Sequence, residues 1–134
     1  MSKVQNALEC FQEGFSCSQA VFAVYAKELG MDYEMALKVS QAFGGGMGGM
    51  KGECGAVTGA YMVISLMHGR TRADDAEARI KTFELVKAFS ARFKELHQST
   101  VCKELLEGYT GNPHDLCGKY VKDACQILEE LIEI

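Results

Sequence analysis

Six cysteines, Cys10, Cys17, Cys54, Cys102, Cys117 and Cys125, carry most of the chemistry open to this chain of 134 residues. As thiolates, cysteines are nucleophiles and soft-metal ligands. Their spacing excludes several familiar arrangements. There is no Cys-x-x-Cys, so a thioredoxin-type pair and a zinc ribbon both fail. There is no Cys-x-x-Cys-His for haem attachment, and the close ferredoxin spacings are absent. Any cysteine site must therefore be assembled by the tertiary fold from distant segments.

Those segments read as helices. Ser2-Lys3-Val4-Gln5 and Ser16-Cys17-Ser18-Gln19 both have the form of a capping box, each followed by apolar residues at helical spacing. Gly14 and Gly30 act as stops, and Asp32 can cap a third helix ending at Gly44. From Gly44 to Gly52, six of nine residues are glycine, which no stable helix tolerates. Glu53 to His68 is apolar on nearly every side and predicts a central, buried helix. Thr71 to Asp74 resembles the start of a long helix with Ala76, Ile80, Phe83, Val86, Phe89 and Phe93 as its stripe. Ser99 or Thr100 begins a short helix, and Asn112-Pro113 or Asp115 begins the last. No strand-period segment competes. The expectation is one all-α, bundle-like domain over residues 1–134, with six or seven helices.

Composition narrows the function classes. Hydrophobic residues make up 48% and charged residues 24%, which is ordinary for a globular chain. The net charge is −4 and no basic patch is visible, which argues against nucleic acid and anionic membranes as partners. No run of about 18 apolar residues could span a bilayer. The first ten residues lack the apolar core of a secretory signal, so a cytoplasmic protein is expected. In a reducing compartment, metal binding or thiol chemistry is a better account of the cysteines than structural disulfides.

On these helix boundaries Cys17, Cys54, Cys102 and Cys117 fall in or beside first turns. Free N–H groups and the positive dipole end there favour a thiolate. Cys10 and Cys125 fall inside helices, as small buried residues do. The glycine run before Cys54 could turn its N–H groups toward an anion or a sulfur, so Gly45, Gly46, Gly48 and Gly49 are candidates to bind a cofactor. It lacks the flanking strand and the Gly-Lys-Ser/Thr of a phosphate loop. His68, His97 and His114 lie near helix ends, with His114 favoured as a ligand by its nearness to Cys117. Met47, Met50 and Met62 read as core filler. No Ser-His-Asp set or paired carboxylates stand out.

Several stretches together resemble the C_GCAxxG_C_C family: Gly14-Phe15-Ser16-Cys17-Ser18-Gln19-Ala20-Val21, Phe43-Gly44-Gly45-Gly46-Met47-Gly48, Glu53-Cys54-Gly55-Ala56-Val57-Thr58-Gly59-Ala60, then Cys102 and Cys117. The resemblance runs from about Ala7 to Leu131. It implies redox activity centred on Cys17, Cys54, Cys102 and Cys117, with Gly59 closing the central motif. Here Glu53 precedes Cys54 and Gly55 separates it from Ala56, a departure from the family's Gly-Cys-Ala order. The related domain of split-Soret cytochromes implies that such a scaffold can carry an iron–sulfur cluster.

Three functions follow as expectations. The first is thiol–disulfide chemistry, with Cys17 or Cys54 as nucleophile, another cysteine resolving, and a redox protein or a small molecule as partner. The second is an electron carrier in which the same four thiolates hold an iron–sulfur cluster or a soft metal. The third is a helical interaction domain whose cysteines only pack. A Phe83/Phe89/Phe93 stripe could belong to the core or pair two subunits.

Overall fold

A computed structural model describes residues 2–132; Met1, Glu133 and Ile134 lie outside the described residues. The domain is all-α. Its elements are α1 (Lys3–Gln12), α2 (Cys17–Glu28), α3 (Tyr33–Gln41), α4 (Gly55–His68), α5 (Ala76–His97), α6 (Cys102–Leu106) and α7 (Pro113–Leu131). No strand forms among the described residues. A single antiparallel bridge pairs Glu53 with Val101.

Local chemistry sets most boundaries. The Ser2 hydroxyl accepts from the Gln5 N–H, and Ser16 with Gln19 closes a reciprocal capping box at the start of α2. Asp32 caps α3 through the Met35 N–H. Two starts differ from the sequence expectation. Asp75, not Thr71 to Asp74, accepts the Ala78 N–H and opens α5. The N-cap of α6 is Val101, because the preceding backbone is committed to the bridge with Glu53.

The centre is α2 packed flush on α4. Every α2 residue from Ser18 to Ala26 is buried, as are α4 residues 55–60 with Val63 and Ile64. Close approach explains the glycines of α4. A Cβ on Gly59 would stand 2.9 Å from the Ser18 carbonyl oxygen and 3.2 Å from Val21 Cβ. α1 and α3 flank α2, α5 lies on α4, and α7 closes the core against α1, α2, α4 and α5. The α5 stripe is offset from the one expected. Thr82, Leu85, Phe89 and Phe93 are buried, while Ile80 and Phe83 are half exposed, with Arg79 over the Phe83 ring. Burial in α5 begins only at Thr82, and none of its earlier residues is buried.

Polar ties lock α7 in place. The Tyr25 hydroxyl donates to Glu129 at 2.5 Å, His97 pairs with Asp123 at 2.8 Å, and the Tyr120 hydroxyl donates to the Leu105 carbonyl at 2.8 Å. No helix is long and apolar enough to cross a membrane.

Candidate functional site

Cys17, Cys54, Cys102 and Cys117 line one cavity of about 340 Å³. They arrive there by three structural routes. Cys17 is the first residue of α2, placed by the Ser16 cap. Cys54 is the N-cap residue of α4, and Cys102 is the first residue of α6. A backbone clamp holds these last two side by side. The Cys54 N–H donates to the Thr100 carbonyl at 2.8 Å, and the Cys102 N–H donates to the Gly52 carbonyl at 2.6 Å.

Cys117 comes from α7 and corrects the sequence expectation. Asn112 caps that helix and Pro113 is its first residue, so Cys117 is the fifth, in the second turn. Its N–H lies beyond the free donors of a helix start. Cys10 and Cys125 lie outside the cavity and are buried in the core, Cys10 at 3.5 Å from the Tyr33 hydroxyl.

The Cys17 sulfur approaches the start of α4 because a side chain is missing there. A Cβ on Gly55 would lie 2.5 Å from the Cys17 sulfur. The sulfur therefore rests on the α4 backbone, one residue from Cys54. The glycine run supports the other side. Gly45, Gly46, Met47, Gly48 and Gly49 form an unbroken left-handed stretch, with Lys51 also at φ 61. This turn brings the Gly45 N–H to the Cys17 sulfur. It also seats Gly46 where a Cβ would stand 2.7 Å from Cys102 Cβ. Of the four candidate glycines only Gly45 lines the cavity; Gly46, Gly48 and Gly49 do not.

Cys17, Cys54 and Cys117 are not acidified as a helix-start position would suggest. Burial pushes Cys17 up, against the opposing N–H bonds from Gly45 and Ser18. Burial pushes Cys54 up to about 12, reinforced by the neighbouring Cys17 and opposed by the N–H groups of Val57 and Ala56. Cys117 rises to about 11 by burial and by Cys17 and Cys102, with Lys51 acting the other way. Loss of water outweighs the few aligned dipoles.

The remaining lining was not anticipated, apart from His114. Phe11 and His114 stack at 4.2 Å, Phe15 and Leu105 add apolar wall, and exposed Lys51 stands at the rim. None of the lining residues is Asp or Glu. These residues carried no signal because bundle topology alone gathers them. His68 and His97 do not line the cavity; His97 is engaged by Asp123. Among the described residues, no three His, Cys, Asp or Glu side chains are grouped so as to hold one metal ion.

The sequence profile of a family described as "Putative redox-active protein (C_GCAxxG_C_C)" matches residues 15–131. No curated protein and no solved structure matches the chain.

Proposed function

The chain belongs to the C_GCAxxG_C_C family, and from that premise we propose that it is a thiol–disulfide redox protein whose working pair is Cys17 and Cys54. The observation that carries this reading is the seating of the Cys17 sulfur on Gly55, the neighbour of Cys54. Cys17 is the attacking thiol. It is half-buried against the cavity, while Cys54 is only 6% exposed. Cys54 resolves by attacking Cys17 once a mixed disulfide has formed, so the protein ends oxidised with a Cys17–Cys54 bond.

The raised thiols suggest a direction for electron flow. Strongly oxidising couples are so because their reduced form is stabilised. Burial denies Cys17 and Cys54 any such stabilisation as thiolates. A reducing centre, which donates electrons and becomes oxidised, fits better. The test is titration with a mild diamide oxidant, followed by thiol counting and mass measurement. Two thiols and two hydrogen atoms should be lost per chain. Cys17→Ser or Cys54→Ser should prevent this, and Cys10→Ala with Cys125→Ala should not. Equal oxidation in Cys54→Ser would overturn the assignment.

The cavity itself favours a second reading, because its four thiols supply a complete cysteine ligand set. Gly45, Ser18, Ala56 and Val57 offer N–H groups to two of those sulfurs, a known means of tuning a cluster. A single metal ion does not fit the side chains as they stand. An iron–sulfur cluster would supply one-electron transfer. Anaerobic reconstitution with iron and sulfide, followed by visible absorption and metal analysis, decides it; a colourless, iron-free product excludes the cluster.

A further inference from the structure

We propose that the substrate of this centre is a small disulfide with an apolar body and an anionic group, held with its anion at Lys51 and its body against Phe11, Phe15 and Leu105. The proposal rests on the Cys17–Cys54 reading and adds the chemical class that enters the cavity.

Size comes first. A space of about 340 Å³ suits a small molecule. Cys17, the attacking thiol, is half-buried against this space, which a small disulfide enters more readily than one held on a folded protein surface. Polarity comes second. The wall is mostly aromatic and aliphatic, so the body of the ligand must be apolar. Charge comes third. The chain carries four more negative than positive charges, yet no carboxylate lines this cavity, and the ammonium of Lys51 stands at its rim. No salt bridge engages Lys51 among the described residues.

The backbone is strained to put that ammonium there. Lys51 is a non-glycine residue held in the left-handed region at φ 61, which L side chains rarely adopt. Two bonds pin it, from its own N–H to the Gly45 carbonyl at 3.1 Å and from the Lys103 N–H to its carbonyl at 3.2 Å. Lys51 and Cys117 line the same cavity, and the positive charge of Lys51 acts to favour the Cys117 thiolate.

The reaction balances within the named species. The Cys17 thiolate attacks one sulfur of R–S–S–R, forming Cys17–S–S–R and releasing R–S⁻, which takes up the proton Cys17 lost. Cys54, losing its proton in turn, attacks the Cys17 sulfur and releases the second R–S⁻ as R–SH. Two protein thiols are oxidised and one disulfide is reduced to two thiols.

The test uses the full chain and three probes: a bis(nitrobenzoate) disulfide (aromatic, anionic), dipyridyl disulfide (aromatic, neutral) and cystamine (cationic). Each rate of Cys17 modification is divided by that probe's rate with free cysteine, which removes intrinsic reactivity. At low salt the normalised rate for the anionic probe should exceed that for cystamine by about tenfold or more, given unit charges a few ångströms apart. Lys51→Met should collapse this preference. In the unaltered chain, raising the salt to about 1 M should also erase it, because the screening length falls to about 3 Å. A normalised preference for cystamine, or one indifferent to both Lys51→Met and salt, overturns the proposal. Failure of the underlying reading looks different, since then no probe or diamide yields a Cys17–Cys54 bond.

Discussion

Gly59→Ala is a sharp probe of how α2 and α4 bring the thiols together. The added methyl would stand 2.9 Å from the Ser18 carbonyl oxygen and 3.4 Å from Ser18 Cα. Both are backbone atoms, so relief requires the helices to part. Overpacking costs about 1–3 kcal/mol, and a clash with backbone at 2.9 Å falls in the upper part of that range, about 2–3 kcal/mol. Alanine returns up to about 1 kcal/mol through helix propensity. The net expectation is a loss of about 1–2 kcal/mol. Gly118→Ala is the matched control in the interior of α7. Its new methyl would meet only Phe11 ring carbons, at 3.7 and 3.8 Å, an ordinary contact. That variant should gain about 0.5–1 kcal/mol. The two should therefore differ by at least about 1.5 kcal/mol, which for a chain of this size separates their melting temperatures by roughly 5 °C. Urea and thermal unfolding under reducing conditions measure both. Gly59→Ala as stable as Gly118→Ala would refute the flush packing and with it the reason Cys17 reaches Gly55.

Other consequences follow from the same geometry. Modification of Cys54 and Cys117 in the native protein should stay slow at neutral pH and rise only above the ordinary thiol value of 9.0, since these thiols are held at about 12 and about 11. Stability follows the same sign: a raised folded-state value contributes fully below the unfolded value and is lost as pH rises toward the folded one. Melting temperature should thus fall between about pH 9 and 12, and Cys54→Ala should show a shallower fall; an identical fall would deny burial of that thiol. Lys51→Gly should relieve left-handed strain and stabilise the fold by up to about 1 kcal/mol, as read by urea unfolding, whereas a loss would mean the Lys51 side chain itself holds the turn. In a glutathione redox buffer the oxidised pair should persist at ratios that reduce an oxidising couple; ready reduction there would contradict the electron-donating direction.

Much of the fold is legible in the sequence because capping is local. Ser2, Ser16 and Asp32 announce α1 to α3 within four residues of chain, and the structure uses those caps. The apolar run after the glycines likewise becomes the buried α4. Where two caps compete, local reading cannot choose, and Asn112-Pro113 rather than Asp115 moved Cys117 out of the first turn. The raised thiols of Cys17, Cys54 and Cys117 are not legible in the sequence for a deeper reason. Helix-end dipoles are visible in a sequence, but desolvation depends on what the rest of the chain stacks above Cys17 and Cys54. Residues such as Lys51, Phe11 and Leu105 give no sequence signal as partners of those thiols, because only the 51–54 and 100–103 backbone clamp and the α1–α7 contact gather them.

Oxidation of the native chain with one equivalent of diamide, followed by digestion without reductant and identification of the linked peptides, tests the central claim most directly. The account predicts one intramolecular link joining the peptides that contain Cys17 and Cys54. A link through Cys10 or Cys125, or products joined only between chains, would contradict it.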